Sequence, residues 1–368
     1  MPAERNVKQY GAVGDGLCDD TAAIQKALEG GGCTVVIPAG SYTISSALSV
    51  SSGTTIRADD DAVVRLADGA GVNAGVFVLT NDDPVGGNQD ISVEGGVWDG
   101  NCAHNPRGED GDMDGYTGTA VNFVNVSGLT LCNLTVRNPE GFSIRLGEVD
   151  DFRVEDICFD NTLIRPNQDG VHVGGFSHQG VIRNLRALTP KTTNDDMVAL
   201  NADDDVERVL NLGMKRGPIS DIEVEGLYGD DVYTFVRLLS VDALIEEVSI
   251  GEVHGGCRYH AVNMGNWRFS AGVGNIRSVR MRDFTVRKVH GENSRSGTKH
   301  PLVTIRLAVE GLQMTNFRRD PADDLPAPTL VVDNGQDNDI EIEGGTVERD
   351  GTVLTIPHGG FSTLRMNK

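Results

Sequence analysis

Residues 131–146 read LCNLTVRNPEGFSIRL. Leu131 and Leu134 bracket two small or polar residues, and a strand-like run, FSIRL (142–146), follows. The same sequence of features returns down the chain. Val154 and Ile157 precede GVHVG (170–174), Ile182 and Leu185 precede MVALN (197–201), and Val224 and Leu227 precede TFVRLL (234–239). Ile250 and Val253 precede AVNMG (261–265), Met281 and Phe284 precede LVTIRL (302–307), and Met314 with Phe317 closes the series. Each unit carries at least two short strands with period-two alternation, and helical periodicity is nearly absent after residue 30. Units of a few tens of residues that lay strand on strand predict an all-β chain folded as a parallel β-helix, or solenoid. An antiparallel sandwich would place Asn-Gly or Asp-Gly turns between most strand pairs, and such turns are rare here.

The widest interval, from 182 to 224, contains NADDDVERVLNLGMKRG (201–217). Residues 202–217 read as a loop inserted beside a binding groove, because long loops on a regular scaffold commonly border one. Its Asp203-Asp204-Asp205 run has no matched strand and reads as solvated surface. Upstream, DDTAAIQKALEG (19–30) places Ala23, Ile24, Ala27 and Leu28 on one face of a short helix opened by an Asp/Thr cap. A solenoid end exposes unpaired strand edges, and this helix is the expected N-terminal cover. The whole of residues 1–368 is thus expected to form one β-helix domain, with the cap over about 1–45.

Composition narrows the partners. The formal net charge is −22 and the pI about 4.6, with no basic stripe, which speaks against nucleic acid and anionic membranes. No apolar run is long enough to span a bilayer. The start, MPAERNVKQYGAVGDG, has no charged-then-apolar leader, which as it stands fits a cytoplasmic protein; a chain trimmed of its leader would be secreted. The six cysteines are scattered and never form CxxC, so they read as buried thiols rather than a zinc site, and no metal is expected. The oligomeric state is not written in the sequence.

Aligning the second strand of each unit produces a column just ahead of it. Glu140, Asp169, Asp196, Tyr233 and His260 occupy that position. Neighbouring coils of a parallel sheet lie about 4.8 Å apart, which would set Asp169 beside Asp196 with Asp195 on the same rim. Carboxylates so close raise at least one pKa, and a protonated acid beside an ionised one is what glycoside hydrolysis requires. Elsewhere an Asp-Asp pair at a strand edge usually caps a turn. His172 should point away from Asp169 by alternation, and a core role fits it equally well. His178 lies on the turn out of that coil. Tyr233 and Trp267 could stack on a sugar face or simply pack, whereas Trp98 reads as core or groove wall.

The segment YGAVGDGLCDDTAAIQKALEGGGCTVVIPAGSYTI (10–44) closely resembles the opening of the pectin-lyase-like right-handed β-helix superfamily. NQDISVEGGVWDGN (88–101), PNQDGVHV (166–173) and NDDMVALN (194–201) resemble the polygalacturonase family, glycoside hydrolase family 28, in the right order. That resemblance implies an inverting hydrolase in which Asp195 protonates the leaving oxygen while Asp169 and Asp196 hold and deprotonate water. It also draws Asn167 into the site. The family's Gly-His-Gly and Arg-Ile-Lys motifs are missing; GDDVYTFVRLL (229–239) and GCRYHAVNMG (256–265) stand in their places. Arg237, Arg258 and His260, with His172, His178 and Tyr233, are the remaining candidates for substrate contact.

The expected function is cleavage of α-linked bonds in an oligo- or polysaccharide, with no cofactor. One alternative is a lyase or epimerase on the same scaffold, which alone would call for Ca²⁺ and use Arg237 or Arg258 as base. The other is a non-enzymatic adhesin or tailspike-like carbohydrate-binding protein, which would tolerate neutral replacement of the aspartates.

Overall fold

A computed structural model describes residues 3–107, 115–265, 272–290, 299–323, 325–336 and 338–367. The chain coils as a parallel β-helix with three strand faces per turn. On the first face Ile144, Val171, Val198, Val236, Val262, Val303 and Leu330 stand in register on successive coils. On the second, Leu131, Val154, Ile182, Val224, Ile250, Met281 and Met314 do the same. Each of these side chains is buried, so the repeat is a ladder of core residues.

The spacer inside each repeat has a backbone cause. Its second residue is Asn133, Asp156, Asn184, Gly226, Glu252, Asp283 or Asn316 on successive coils, and every one has φ between 54° and 79°. A left-handed residue turns the chain sharply while both flanking side chains stay inside. Asn, Asp and Gly tolerate that conformation best. The corner side chains also stack: Asn184 Nδ2 donates to Asp156 Oδ1 at 3.0 Å and Asn316 Nδ2 to Asp283 Oδ1 at 2.6 Å.

Helix α1 (Thr21–Leu28) buries Ile24, Ala27 and Leu28 against the first coils. Its cap differs from expectation. The Asp20 carboxylate makes no capping bond and instead accepts the Val13 and Gly14 N–H groups, while Asp19 takes the Thr21 N–H at 3.0 Å. The other end is closed in a way the repeat does not announce. Strand Phe361–Met366 runs antiparallel to Val309–Arg319 and to Ile340–Glu343, and Val353–Ile356 runs antiparallel to Leu330–Val332. Reversed strands end the ladder and leave fewer unpaired edge groups for another chain to meet. All six cysteines are free thiols.

The site draws on β1 (Ile144–Asp160), β2 (Val171–Gly174), β3 (Ser177–Ala187), β4 (Asp196–Asn201), β5 (Ile219–Leu239) and β6 (Ile245–Met264). The insert lies between β4 and β5 and packs down. Leu210 is buried, Met214 fills the space over Gly147 and Gly174, and the Leu210 carbonyl accepts Arg145 Nη1.

Candidate active site

Asp169 and Asp196 each stand two residues ahead of the paired valines Val171 and Val198, and the Gly170 N–H donates to the Asp196 carbonyl at 2.9 Å. The register continues from Asp196 to Thr234 and His260. The column therefore holds Thr234 where Tyr233 was expected, because Phe235 and not Thr234 pairs with Met197 in the count from Val198 and Val236, one residue later than the start of the run TFVRLL. By the same count Phe142, two residues ahead of Ile144, takes the place expected for Glu140. Glu140 is buried elsewhere, gripped by Arg165 Nε at 2.8 Å and Nη2 at 2.6 Å.

Asp169, Asp195 and Asp196 bring carboxylate oxygens within 4.8 Å of one another. Asn167 joins them, its Nδ2 lying 3.4 Å from Asp195 Oδ2. Arg237 Nη1 lies 3.7 Å from Asp196 Oδ2, and its Nε is buried without an acceptor. His172, only 2% exposed, sits beside the cluster with Nδ1 2.7 Å from Asp169 Oδ2, and its ring stacks on Phe142 at 4.0 Å. Alternation predicts that His172 faces away from Asp169. The two meet because Asp169 lies before the strand, on the bend that Gly170 continues, where the period-two rule does not yet apply.

Burial sets the protonation states. It pushes Asp195 up to about 7, helped by the neighbouring Asp169 charge and opposed by Arg237. It lifts Asp196 well above the usual carboxylate range, with Asp195 adding to the rise. Asp169 is raised too, but the hydrogen bond from His172 holds it back. Burial opposes charge on His172, yet its two carboxylate partners outweigh that and lift it to about 9. Three raised carboxyl groups thus share the site with the His172 imidazole and the Arg237 guanidinium.

The other expected contacts divide. Arg258 is clamped: Nη1 donates to Asn194 Oδ1 at 2.8 Å, Nη2 to the Lys191 carbonyl at 3.1 Å, and Nε lies 3.0 Å from Asp231 Oδ1. These contacts brace the turn that presents Asp195. Tyr233 stacks on Tyr259 at 4.9 Å along the rim. His260 is buried with Nδ1 2.6 Å from the Pro301 carbonyl, and burial with the nearby Lys288 charge pushes its pKa well down. His178 lies on β3 in register with Asp150 and Ser220, bonded to Ser220 Oγ at 3.0 Å, on the second face and not with the aspartates. Trp98 is core, its Nε1 donating to the Gly95 carbonyl at 3.1 Å. Trp267 lies outside the described residues.

The run 203–205, expected as solvated surface, is not. Asp203 is 9% exposed and accepts the Val241, Asp242 and Ala243 N–H groups at 2.6–2.8 Å. Asp204 Oδ2 lies 2.8 Å from His172 Nε2. The insert's apolar Leu210 and Met214 were the available sign that it packs onto the coils. As for a metal, a hard dication takes about six to eight oxygens. Asp169, Asp195 and Asp196 bring one oxygen each to within 4.8 Å of one another, with His172 facing Asp169 and Arg237 facing Asp196.

The chain is a right-handed parallel β-helix of the pectin-lyase-like class, with three carboxylates clustered on one face. The family model described as rhamnogalacturonase A/epimerase, pectate lyase-like, matches residues 4–195, more than half of the chain, and the chain belongs to that family. The pre-neck appendage protein of Bacillus phage B103 is 34% identical over 151 residues, 39% of this chain and 17% of that protein. Mannuronan C5-epimerase AlgE5 of Azotobacter vinelandii is 31% identical over 214 residues, 49% of this chain and 21% of that one. The chain thus spans about a fifth of the length of these relatives. Among solved structures, the iota-carrageenase of A. fortis superposes with TM-score 0.64 at 13% identity, covering 92% of this chain and 91% of that one. The family 28 exopolygalacturonase of Yersinia enterocolitica gives 0.55 at 16% identity, covering 91% and 76%. At such identities the likeness is one of fold.

Proposed function

We propose that the protein is a glycoside hydrolase that cleaves α-linked bonds of an oligo- or polysaccharide with inversion. One observation carries the reading: three carboxylates from adjacent coils lie within 4.8 Å of one another, and burial pushes the Asp195 pKa up to about 7. A water donating at about 2.8 Å to two oxygens, at its tetrahedral angle, spans about 4.6 Å. The cluster therefore suits one water held between Asp169 and Asp196.

Asp195 gives its proton to the glycosidic oxygen as the bond to the anomeric carbon breaks. The held water forms the new bond, and its proton passes to Asp169, while Asp196 helps hold the water. His172 supports the ionised form of Asp169, and Arg237 tempers the repulsion around Asp196. The oxygens are nearer than the about 6.5–9.5 Å usual for an inverting pair, so stereochemistry is the decisive measurement. NMR of the first-formed product from pectic, arabinan or galactan oligosaccharides should show the inverted anomer. A retained anomer would mean that a carboxylate attacks carbon, and would sink this assignment.

A lyase or epimerase is the second reading, favoured by the mannuronan C5-epimerase relatives that align with about half of this chain. Arg237 beside the aspartates would then face a uronate carboxylate. Ultraviolet absorbance from an unsaturated product, or solvent deuterium entering the sugar without chain cleavage, would favour it over hydrolysis.

A further inference from the structure

We propose that Asp204, delivered by the insert between β4 and β5, is a positioning residue that acts through His172 on Asp169. The proposal rests on the reading of Asp169 as a base for the attacking water.

Both ring nitrogens of the buried His172 face a carboxylate, Nδ1 toward Asp169 at 2.7 Å and Nε2 toward Asp204 at 2.8 Å. A neutral imidazole has one N–H and one lone pair, so either tautomer would aim a lone pair at a carboxylate. The arrangement is satisfied when both nitrogens donate, which makes the ring an imidazolium between two anions. Phe142 stacks on the ring and fixes its plane. Arg145 and Ala199 are its lateral neighbours on adjacent coils. Asp195, Asp196 and Arg237 complete the charged surroundings.

Asp204 is held for this task. Oδ1 accepts the Asp205 N–H at 2.8 Å, and Asn201 Nδ2 lies 3.4 Å from Oδ2. The Asp204 carbonyl accepts Arg216 Nε at 2.9 Å, and the adjoining Asp203 is tied to three N–H groups of residues 241–243. A charged donor on one oxygen of Asp169 keeps that group ionised and fixes its rotation, leaving the other oxygen for water. Without Asp204 the ring could still donate from Nδ1, but as a neutral group.

The test is ¹⁵N NMR of the histidine-labelled full chain at pH 7, with H172Q assigning the signal. In the parent protein both His172 nitrogens should be protonated. In D204N the ring should carry one proton, and D204E should restore two. A neutral ring in the parent, or a doubly protonated ring in D204N, overturns the proposal; the first readout needs no variant to fold. With a cleaved oligosaccharide in hand, D204N should lower kcat at least about tenfold with KM little changed. A KM-only effect would also overturn it. Absence of any cleavage by the parent protein counts against the hydrolase reading, while the NMR result still judges this one.

Discussion

Asp169 and Asp196 occupy equivalent positions on successive coils, and the Gly170 N–H beside the first donates to the carbonyl of the second at 2.9 Å. That single rung places two carboxylates side by side, and the turn before Asp196 adds the third. The repulsion among them is tolerated because His172 and Arg237 stand against the same cluster.

Asp195→Asn removes the proton donor and keeps the side-chain shape. Turnover on a hydrolysed oligosaccharide should fall by at least about 10²-fold with the fold intact. Near-normal turnover would remove Asp195 from the acid role.

The rate should decline as pH rises through about 7, because Asp195 must be protonated and burial holds its proton to about that value. The same shift acts on stability with a definite sign. The folded pKa of Asp195 is raised above the ordinary 3.8, so the folded state holds more protons in that window and stability drops between roughly pH 4 and 7. Asp195→Asn escapes this loss. Its melting temperature should exceed that of the parent at pH 8 and approach it at about pH 4; a uniform decrease at both would contradict the linkage.

Arg258→Ala should destabilise by about 2 kcal/mol, since it removes several charge-assisted bonds to the turn 191–194 and leaves Asp231 without that cation. Turnover should fall as well, because the turn that carries Asp195 loses its brace. Arg258→Lys should not recover either property, as an ammonium cannot reproduce the fork of donors. Urea denaturation and initial rates measure the two effects.

Asn184→Gly should be nearly neutral, whereas Asn184→Val should cost about 1–2 kcal/mol, because residue 184 has φ 55° and a β-branched side chain resists that conformation. Equal losses for the two variants would show that the Asp156 hydrogen bond, and not the backbone, is what matters there.

The solenoid was legible because its cause is local and repeated. Two core residues must flank each left-handed corner, so the pairs Leu131/Leu134 to Met314/Phe317 print the coil period directly into the chain. The aspartates were legible for the same reason, each being tied to a strand start. The column read from apolar runs failed at Tyr233 and Glu140, because the first residue of an apolar run does not mark which residue pairs across coils.

Sequence by itself thus determined the class of fold, the helical cap and which carboxylates share a rim, since all follow from short-range periodicity. Tertiary structure alone decided what surrounds them. It folded the 202–217 insert back so that Asp204 meets His172 across 32 positions, and spent Arg258 on a turn 64 positions away. It also closed the C-terminal end with reversed strands. Those contacts join residues with no shared period, so only the path of the chain through space brings them together.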